Sequence, residues 1–101
     1  MRIILFFDLP TQTAKDRKEY ALFRKNLIKD GFIMMQESVY TKLVLNNTIL
    51  ASVRKKVLSF LPPSGLIQTL VITEKQFSAL ETMIGESRKR IIDNTERFVV
   101  L

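Results

Sequence analysis

The sequence contains no cysteine and no histidine among its 101 residues. Without cysteine the chain can form no disulfide, thiolate nucleophile or cysteine-based zinc site. Without histidine it lacks the side chain that proteins use most often as a general base and zinc ligand, which also excludes a Ser-His arrangement. Any catalysis must therefore rely on carboxylates, hydroxyls, cations or a metal ion held through oxygen atoms.

The chain also lacks a long apolar run. No stretch approaches the roughly 20 apolar residues that a membrane span requires. The N-terminus offers one basic residue, Arg2, and a short apolar run before an aspartate, which is too little for a signal peptide. We therefore predict a cytoplasmic protein with no membrane span. With 47% hydrophobic and 26% charged residues, the composition predicts one globular domain over 1–101.

Acidic residues are the minority among the charged side chains. Lysine and arginine number 16 against 10 aspartates and glutamates, so the net charge is +6 and the pI is about 9.9. On a small domain this charge favours a polyanionic partner, with nucleic acid first and a membrane surface second. A soluble protein that is merely basic is the alternative, and the distribution of the cations must decide between them.

The hydrophobic pattern predicts the order β-α-β-β-α-β, followed by a short helix and a terminal strand. The predicted elements are a strand over 2–7, a helix from 13 to about 30, two strands within 32–45 that meet at 36–38, a helix from 46 to about 60, a strand over 66–73, a short helix from 73 to about 85 and a strand over 97–101. This order is typical of the ferredoxin-like α+β fold, in which two helices cover one face of an antiparallel sheet.

Capping residues and a glycine mark where the helices begin and end. Thr13, with an acid three residues later, predicts the start of the first helix, and Gly31 predicts its end. Asn46 predicts the start of the second helix. Thr73 and Gln76 form the sequence pattern of a capping box, which predicts the start of the short third helix.

Two features of the sequence predict a homodimer. The apolar strand predicted over 97–101 lies beyond the completed βαββαβ unit and needs a sheet edge to pair with. The face of the sheet away from the helices carries Ile33, Met35 and either Val39 or Tyr40, which a second subunit could cover. The alternative is that the short helix and the last strand fold back onto their own subunit.

The first predicted helix carries lysines along one side. At 100° per residue, four lysines share an arc of roughly 80° that extends about 20 Å along the helix. They are Lys15, Lys18, Lys25 and Lys29. This lysine stripe predicts a track for nucleic-acid phosphates, because each neutralised phosphate releases counterions. Arg17, Arg88 and Arg90 are further candidate contacts, with a solvated surface as the alternative for the basic clusters at 54–56 and 88–90.

The sequence gives little sign of base recognition. The RNA-recognition motif shares the predicted topology, but it needs aromatic side chains on its middle strands as stacking platforms. Here the third strand offers only Tyr40, without that motif's glycine and aromatic spacing. The pattern favours binding of the nucleic-acid backbone by shape and charge, without sequence specificity.

Asp8 follows a buried strand directly, and Pro10 closes that strand two residues later. The edge where a buried strand reaches the surface is a common place for catalytic residues in α/β architectures. Asp8 is therefore the candidate catalytic residue. The alternative is a structural role, because an aspartate before a turn commonly accepts hydrogen bonds from backbone N–H groups two residues on.

Four segments of the chain together resemble a known family. They are FFDLPT (6–11), GFIMMQESVY (31–40), LNNT (45–48) and TEKQF (73–77). In this order and spacing, over essentially the whole chain, they are similar to the CRISPR-associated endoribonucleases of the second family. These are the smaller of the two universal spacer-acquisition proteins, and the details look most like the form found in type II systems.

The resemblance implies a homodimer that bridges two dimers of a CRISPR integrase. Such an assembly holds duplex DNA along its backbone and inserts it into the repeat array, and the terminal strand engages the other subunit or the integrase. The lysine stripe is consistent with that role.

A third class of function, a small-ligand regulatory domain on the same fold, would need a specialised loop that the three glycines of the chain do not provide.

The resemblance also implies a magnesium-dependent endonuclease, acting on RNA or DNA, with Asp8 near its symmetry mate as catalytic residue and metal ligand. Magnesium prefers oxygen ligands and can be held by one or two carboxylates together with water and substrate phosphate. It would polarise the phosphodiester and activate a water. Ser38 or a backbone carbonyl near Leu9 is a candidate for positioning that water. Since no second carboxylate lies near Asp8 in sequence, the pair would come from two subunits.

Overall fold

The computed structural model describes residues 1–85. Its elements are β1 (Arg2–Asp8), α1 (Ala14–Lys29), β2 (Ile33–Gln36), β3 (Val39–Leu43), α2 (Asn47–Leu58), β4 (Leu66–Ile72) and α3 (Glu74–Ser78). The predicted βαββαβ order with its short extra helix is therefore confirmed. The strand predicted over 97–101 lies outside the described residues.

The four strands form one antiparallel sheet in the order β2-β3-β1-β4. Strand β1 is central, because it pairs with β3 on one side and with β4 on the other. Each βαβ half places its helix across the same face of the sheet, which gives the ferredoxin-like α+β arrangement that the element order predicts. The opposite face carries no helix of the βαββαβ unit and is called the open face below.

Strand β1 separates the two faces by its alternation. Ile3, Leu5 and Phe7 are buried in the core between sheet and helices. The helices add five buried side chains to that core: Phe23, Leu27, Leu50, Val53 and Val57. Since full burial of a large apolar side chain is worth about 1.5–3 kcal/mol, this helix-facing layer provides most of the stability of the fold.

One placement that the sequence prediction left open is decided by the core. Tyr40 is fully buried in the helix-facing core and stacks on Phe7 at 5.8 Å, so Val39 is the residue of this pair on the open face. Ile28 of α1 is 53% exposed. It lies beyond the edge of the contact made by Phe23 and Leu27, the two residues of α1 that are buried.

The predicted helix starts are confirmed by hydrogen bonds. Thr13 and Asp16 form a reciprocal capping box at 3.0 and 3.2 Å, and Asn46 accepts the backbone N–H of Ile49 at 2.9 Å. Thr73 makes the same kind of box with Gln76. These bonds satisfy backbone N–H groups that have no partner within the helix.

Helix α3 is shorter than the sequence predicts. It ends at Ser78, not near Gly85, and none of its residues is buried. Leu80, Met83 and Ile84 after it are exposed. A short segment without apolar packing gains too little to stay helical, because helices of this size depend on tertiary contacts.

Arg2 attaches α3 to the open-face side of the sheet. Its guanidinium makes two 2.8 Å hydrogen bonds with the Glu74 carboxylate and lies 4.1 Å from the centre of the Phe77 ring. The hydrogen bond from Arg2 lowers the pKa of Glu74 below its usual value. The stabilisation of the folded state by the Arg2–Glu74 pair is therefore complete at neutral pH, and it is lost as the pH falls through the lowered pKa of Glu74.

Helix α1 is attached to the sheet by two polar contacts. Arg24 donates to the Tyr40 hydroxyl at 2.6 Å, and Lys42 of β3 donates to the backbone carbonyl of Asp30 at the helix C-terminus. The Tyr40 hydrogen bond raises the pKa of Arg24 above its ordinary value, so this side chain stays charged at any accessible pH. These contacts hold the helix, and the lysine stripe on it, in a defined orientation on the sheet.

Candidate nucleic-acid interface and carboxylate site

Asp8 is the last residue of β1 and lies on the open face. Its side chain follows the alternation set by the buried Ile3, Leu5 and Phe7, and it is exposed. Within residues 1–85 its carboxylate accepts no hydrogen bond and joins no ion pair. Both oxygens are therefore accessible to water, a cation or another polar group.

The loop after Asp8 is held by other residues. Arg17 donates to the backbone carbonyls of Thr11 and Gln12 at 3.1 and 3.2 Å. The capping box of Thr13 and Asp16 fixes the rest of the loop. The structural role in which the Asp8 carboxylate accepts backbone N–H groups of this loop is therefore not what the structure shows.

The carboxylate of Asp8 suits Mg²⁺ in type but not in number. An exposed carboxylate oxygen is a ligand that Mg²⁺ prefers, and the ion usually retains waters and binds substrate phosphate. Within the part of the chain that the structure describes, no group of three or more acidic, histidine or cysteine residues could hold a metal ion. Within residues 1–85, Asp8 therefore belongs to no cluster of three such ligands.

The lysine stripe faces away from the sheet. All four lysines are exposed, and none of them forms an ion pair with a residue in 1–85. On a helical projection the stripe is centred roughly 150° from the buried side chains Phe23 and Leu27. The acids of α1, Asp16 and Glu19, are half-buried and lie outside the stripe. The stripe is thus a ridge of one charge sign on the outer surface of the helical layer.

The other predicted backbone contacts have different surroundings. Arg17 is exposed, but its guanidinium is engaged by the loop carbonyls, so it contributes charge from a fixed position. Arg88 and Arg90 lie outside the described residues. Helix α2 adds Arg54, Lys55 and Lys56, all exposed, and contains no acidic residue. The helical layer as a whole is therefore basic.

The sheet separates the lysine stripe from Asp8. The stripe lies on the helical layer, whereas Asp8 lies on the open face. Lys15, the first residue of the stripe, borders a cleft that Leu9 and Pro10 also line, and Asp8 is not among its lining residues. The sequence predicts that Asp8 and the lysine stripe are both on the surface, but it does not predict that they lie on opposite faces of the sheet.

The open face is more apolar than sequence reasoning predicted. Its exposed apolar side chains are Phe6, Ile33, Leu43, Leu66 and Leu70. Asp8 shares this face, directly opposite Leu66 in the β1–β4 register. The alternation of β1 and β4 was the available signal for Phe6, Leu66 and Leu70, but a continuous apolar run hides that alternation until the sheet register is known.

The fold and these surfaces define a small ferredoxin-like protein with a basic helical layer suited to a polyanion and an apolar sheet face that ends in an aspartate. None of the helices in the described part of the chain is both long and apolar enough to cross a membrane.

Comparison with known proteins identifies the family. The family model described as CRISPR associated protein Cas2 matches residues 1–80. A CRISPR-associated endoribonuclease Cas2 of Treponema denticola is 52% identical over 101 residues and covers 100% of both chains. Proteins of the same description from Ligilactobacillus salivarius and Streptococcus mutans are 43% and 45% identical, each over 100% of this chain and over 100% and 93% of their own. The chain belongs to the Cas2 family of CRISPR-associated proteins, which confirms the resemblance carried by its motifs.

A solved structure agrees with the fold. The crystal structure of Streptococcus pyogenes Cas2 at pH 6.5 has a TM-score of 0.63 to this chain at 18% sequence identity. The alignment covers 82% of this chain and 99% of that one. At this identity the likeness concerns the fold alone, and it supports the ferredoxin-like arrangement.

Proposed function

We propose that this protein is the dimeric DNA-binding subunit of a complex that inserts new spacers into a CRISPR repeat array. In this role it bridges two integrase dimers and holds the duplex by its phosphate backbone. Membership of the Cas2 family supports the CRISPR context. The observation that carries the DNA-binding role is the lysine stripe, which is exposed and has no acidic partner within residues 1–85.

The geometry of the stripe favours contact with phosphates over contact with bases. Its length of about 20 Å matches several phosphates along one side of a duplex. The side chain that could stack on a base from the third strand, Tyr40, is buried under the helices. Binding through charge alone holds any duplex equally, which suits a subunit that must accept foreign DNA of arbitrary sequence.

Duplex binding should therefore depend strongly on salt and weakly on sequence. With four lysines engaged, the logarithm of the association constant should fall against the logarithm of salt concentration with a slope of about −3.6 per subunit. Fluorescence anisotropy with a labelled duplex between about 50 and 200 mM salt measures this slope. Duplexes of equal length and different base composition serve as the control. A flat salt dependence, or strong preference for one sequence, would contradict the proposal.

The same proposal includes a homodimer formed through the open face. Phe6, Leu66 and Leu70 expose apolar surface there, and a second copy would bury it. The two lysine stripes would then lie on the outer surfaces of the dimer. The two Asp8 residues would lie within the interface, because Asp8 shares the open face with these side chains.

Leu70→Glu is expected to dissociate the dimer, because it places a charge within an apolar interface. We expect the dissociation constant to rise by about 100-fold or more, measured by sedimentation velocity over a concentration series. Leu58→Glu is the matched control, because Leu58 is 67% exposed on α2, whereas Leu70 is 54% exposed on the open face. An unchanged dimer in Leu70→Glu, or equal dissociation by both variants, would exclude the open face as the interface.

Asp8 supports a second candidate function, a magnesium-dependent endonuclease acting on single-stranded RNA or double-stranded DNA. Two observations favour it: the carboxylate of Asp8 is exposed without a partner within residues 1–85, and the relatives are described as endoribonucleases. In the proposed dimer, paired Asp8 carboxylates would hold Mg²⁺, which would polarise the phosphodiester and activate water. Ser38 or a backbone carbonyl near Leu9 remains the candidate for orienting that water.

A further inference from the structure

The loop between α2 and β4 returns to the strand end that carries Asp8. Gly65 is the last residue of this loop and directly precedes Leu66, which is the register partner of Asp8. A Cβ atom on Gly65 would lie 2.5 Å from Leu9 Cδ2 and 2.9 Å from the Asp8 carbonyl oxygen. It would also lie 3.3 Å from Leu9 Cα. The loop therefore packs against the Asp8–Leu9 peptide unit at a distance that only glycine permits.

The atoms around Gly65 cannot move aside easily. One is a backbone carbonyl oxygen, and another belongs to the side chain of Leu9, which is 8% exposed and part of the core. Gly65 also has a φ of +115°, a backbone conformation that residues other than glycine adopt only with strain. A side chain at this position must displace the backbone of Asp8 and Leu9, because the core resists compression.

Asp8 depends on this contact because its other neighbour strand has ended. The pairing of β1 with β3 runs from Arg2 to Phe6, and its last link is the hydrogen bond from Phe7 N–H to the Ser38 carbonyl at 3.1 Å. Pairing with β4 continues through Asp8. At Asp8 the backbone is therefore held from the β4 side, where Gly65 and Leu66 lie.

We propose that Gly65 is a positioning residue for the Asp8 carboxylate. Close packing of Gly65 on the Asp8 carbonyl and on Leu9 sets the direction in which β1 leaves the sheet. It thereby sets where the carboxylate points on the open face. The inference rests on the proposed nuclease function of Asp8, and it assigns to the loop between α2 and β4 (59–65) a role in placing the metal ligand.

Gly65→Ala tests this role, with Gly85→Ala as the matched control. Gly85 has a comparable φ of +132°, but a Cβ there would meet only Thr82 Cγ2 at 3.9 Å. We expect Gly65→Ala to shift the backbone amide resonances of Asp8 and Leu9 and to raise the Mg²⁺ concentration for half-maximal cleavage about tenfold. Titration with Mn²⁺ should also broaden the Asp8 amide signal at a higher ion concentration than in the wild type. Gly85→Ala should match the wild type in all three measurements.

Wild-type Mg²⁺ and Mn²⁺ responses in folded Gly65→Ala protein would overturn the proposal, as would equal changes in Gly85→Ala. If Gly65→Ala does not fold, Leu9→Ala loosens the same contact without a backbone clash. It must then raise the Mg²⁺ requirement, and an unchanged requirement refutes the role. Asp8→Asn is measured in parallel. If neither cleavage nor Mn²⁺ broadening in the wild type depends on Asp8, the nuclease proposal fails, and the amide shifts alone still decide whether Gly65 sets the position of Asp8.

Discussion

Asp8→Asn is expected to abolish magnesium-dependent cleavage, lowering the rate by about 100-fold or more. The amide keeps the shape of the side chain but removes the negative charge that attracts the cation. Because Asp8 is exposed in the single subunit and its carboxylate has no hydrogen bond or ion pair within residues 1–85, the free energy of unfolding of the isolated subunit should change by less than about 0.5 kcal/mol. The measurement is cleavage of labelled single-stranded RNA and duplex DNA with and without Mg²⁺.

Glu37→Gln provides the matched control for charge removal. Glu37 is also exposed, and it lies in the turn between β2 and β3 instead of at the end of β1. The Glu37→Gln variant should cleave both substrates at the wild-type rate. Cleavage that persists in Asp8→Asn would assign the activity to another site or to a contaminant. Duplex binding by the wild type without any cleavage would leave the protein a DNA-binding subunit alone.

Reversing the charge of the whole lysine stripe is expected to weaken duplex binding by about 100-fold or more at 100 mM salt. The variant replaces Lys15, Lys18, Lys25 and Lys29 with glutamate. It removes about four phosphate contacts and adds four repulsions, so the dependence of affinity on salt should become weak or change sign. The fold should survive, since the four lysines are exposed and form no ion pair within residues 1–85.

The basic cluster of α2 separates the effect of position from that of net charge. Arg54, Lys55 and Lys56 changed to glutamate alter the total charge by a similar amount on the neighbouring helix. If the stripe is the phosphate track, this triple variant should lose much less affinity. Equal losses in the two variants would indicate a diffuse electrostatic effect, and unchanged affinity in the stripe variant would refute the assignment.

The two predictions are independent because the sheet lies between the two features. A duplex lying along α1 is on the helical side, whereas the Asp8 carboxylate of the same chain is on the open face. Asp8→Asn should therefore bind duplex within about twofold of the wild-type affinity. The stripe variant should still cleave a short single-stranded RNA whenever the wild type does.

Local signals predicted most of the element boundaries. Thr13, Asn46 and Thr73 each begin a helix as their capping patterns predict, since a cap is an interaction within four residues of chain. The end of α3 was predicted wrongly because it depends on packing and not on a local capping interaction. Nothing local stops a helix before Gly85, and its actual end at Ser78 reflects the lack of a surface to pack on.

The features of the candidate site could likewise be predicted from the sequence only where they depend on local patterns. Residue identity and helical or strand periodicity require no long-range contacts, so they were enough to predict that Asp8 ends a buried strand and that four lysines share one side of a helix. The absence of histidine and cysteine likewise excludes catalysis through either side chain. Three further facts became visible in the folded chain: Asp8 and the lysine stripe lie on opposite faces, Tyr40 points to the helices, and Gly65 packs on the Asp8 carbonyl oxygen. These facts depend on the register of β1 with β3 and β4, and Gly65 meets Asp8 across 57 positions of the chain. Such contacts are set by packing of the whole sheet, which no local pattern contains.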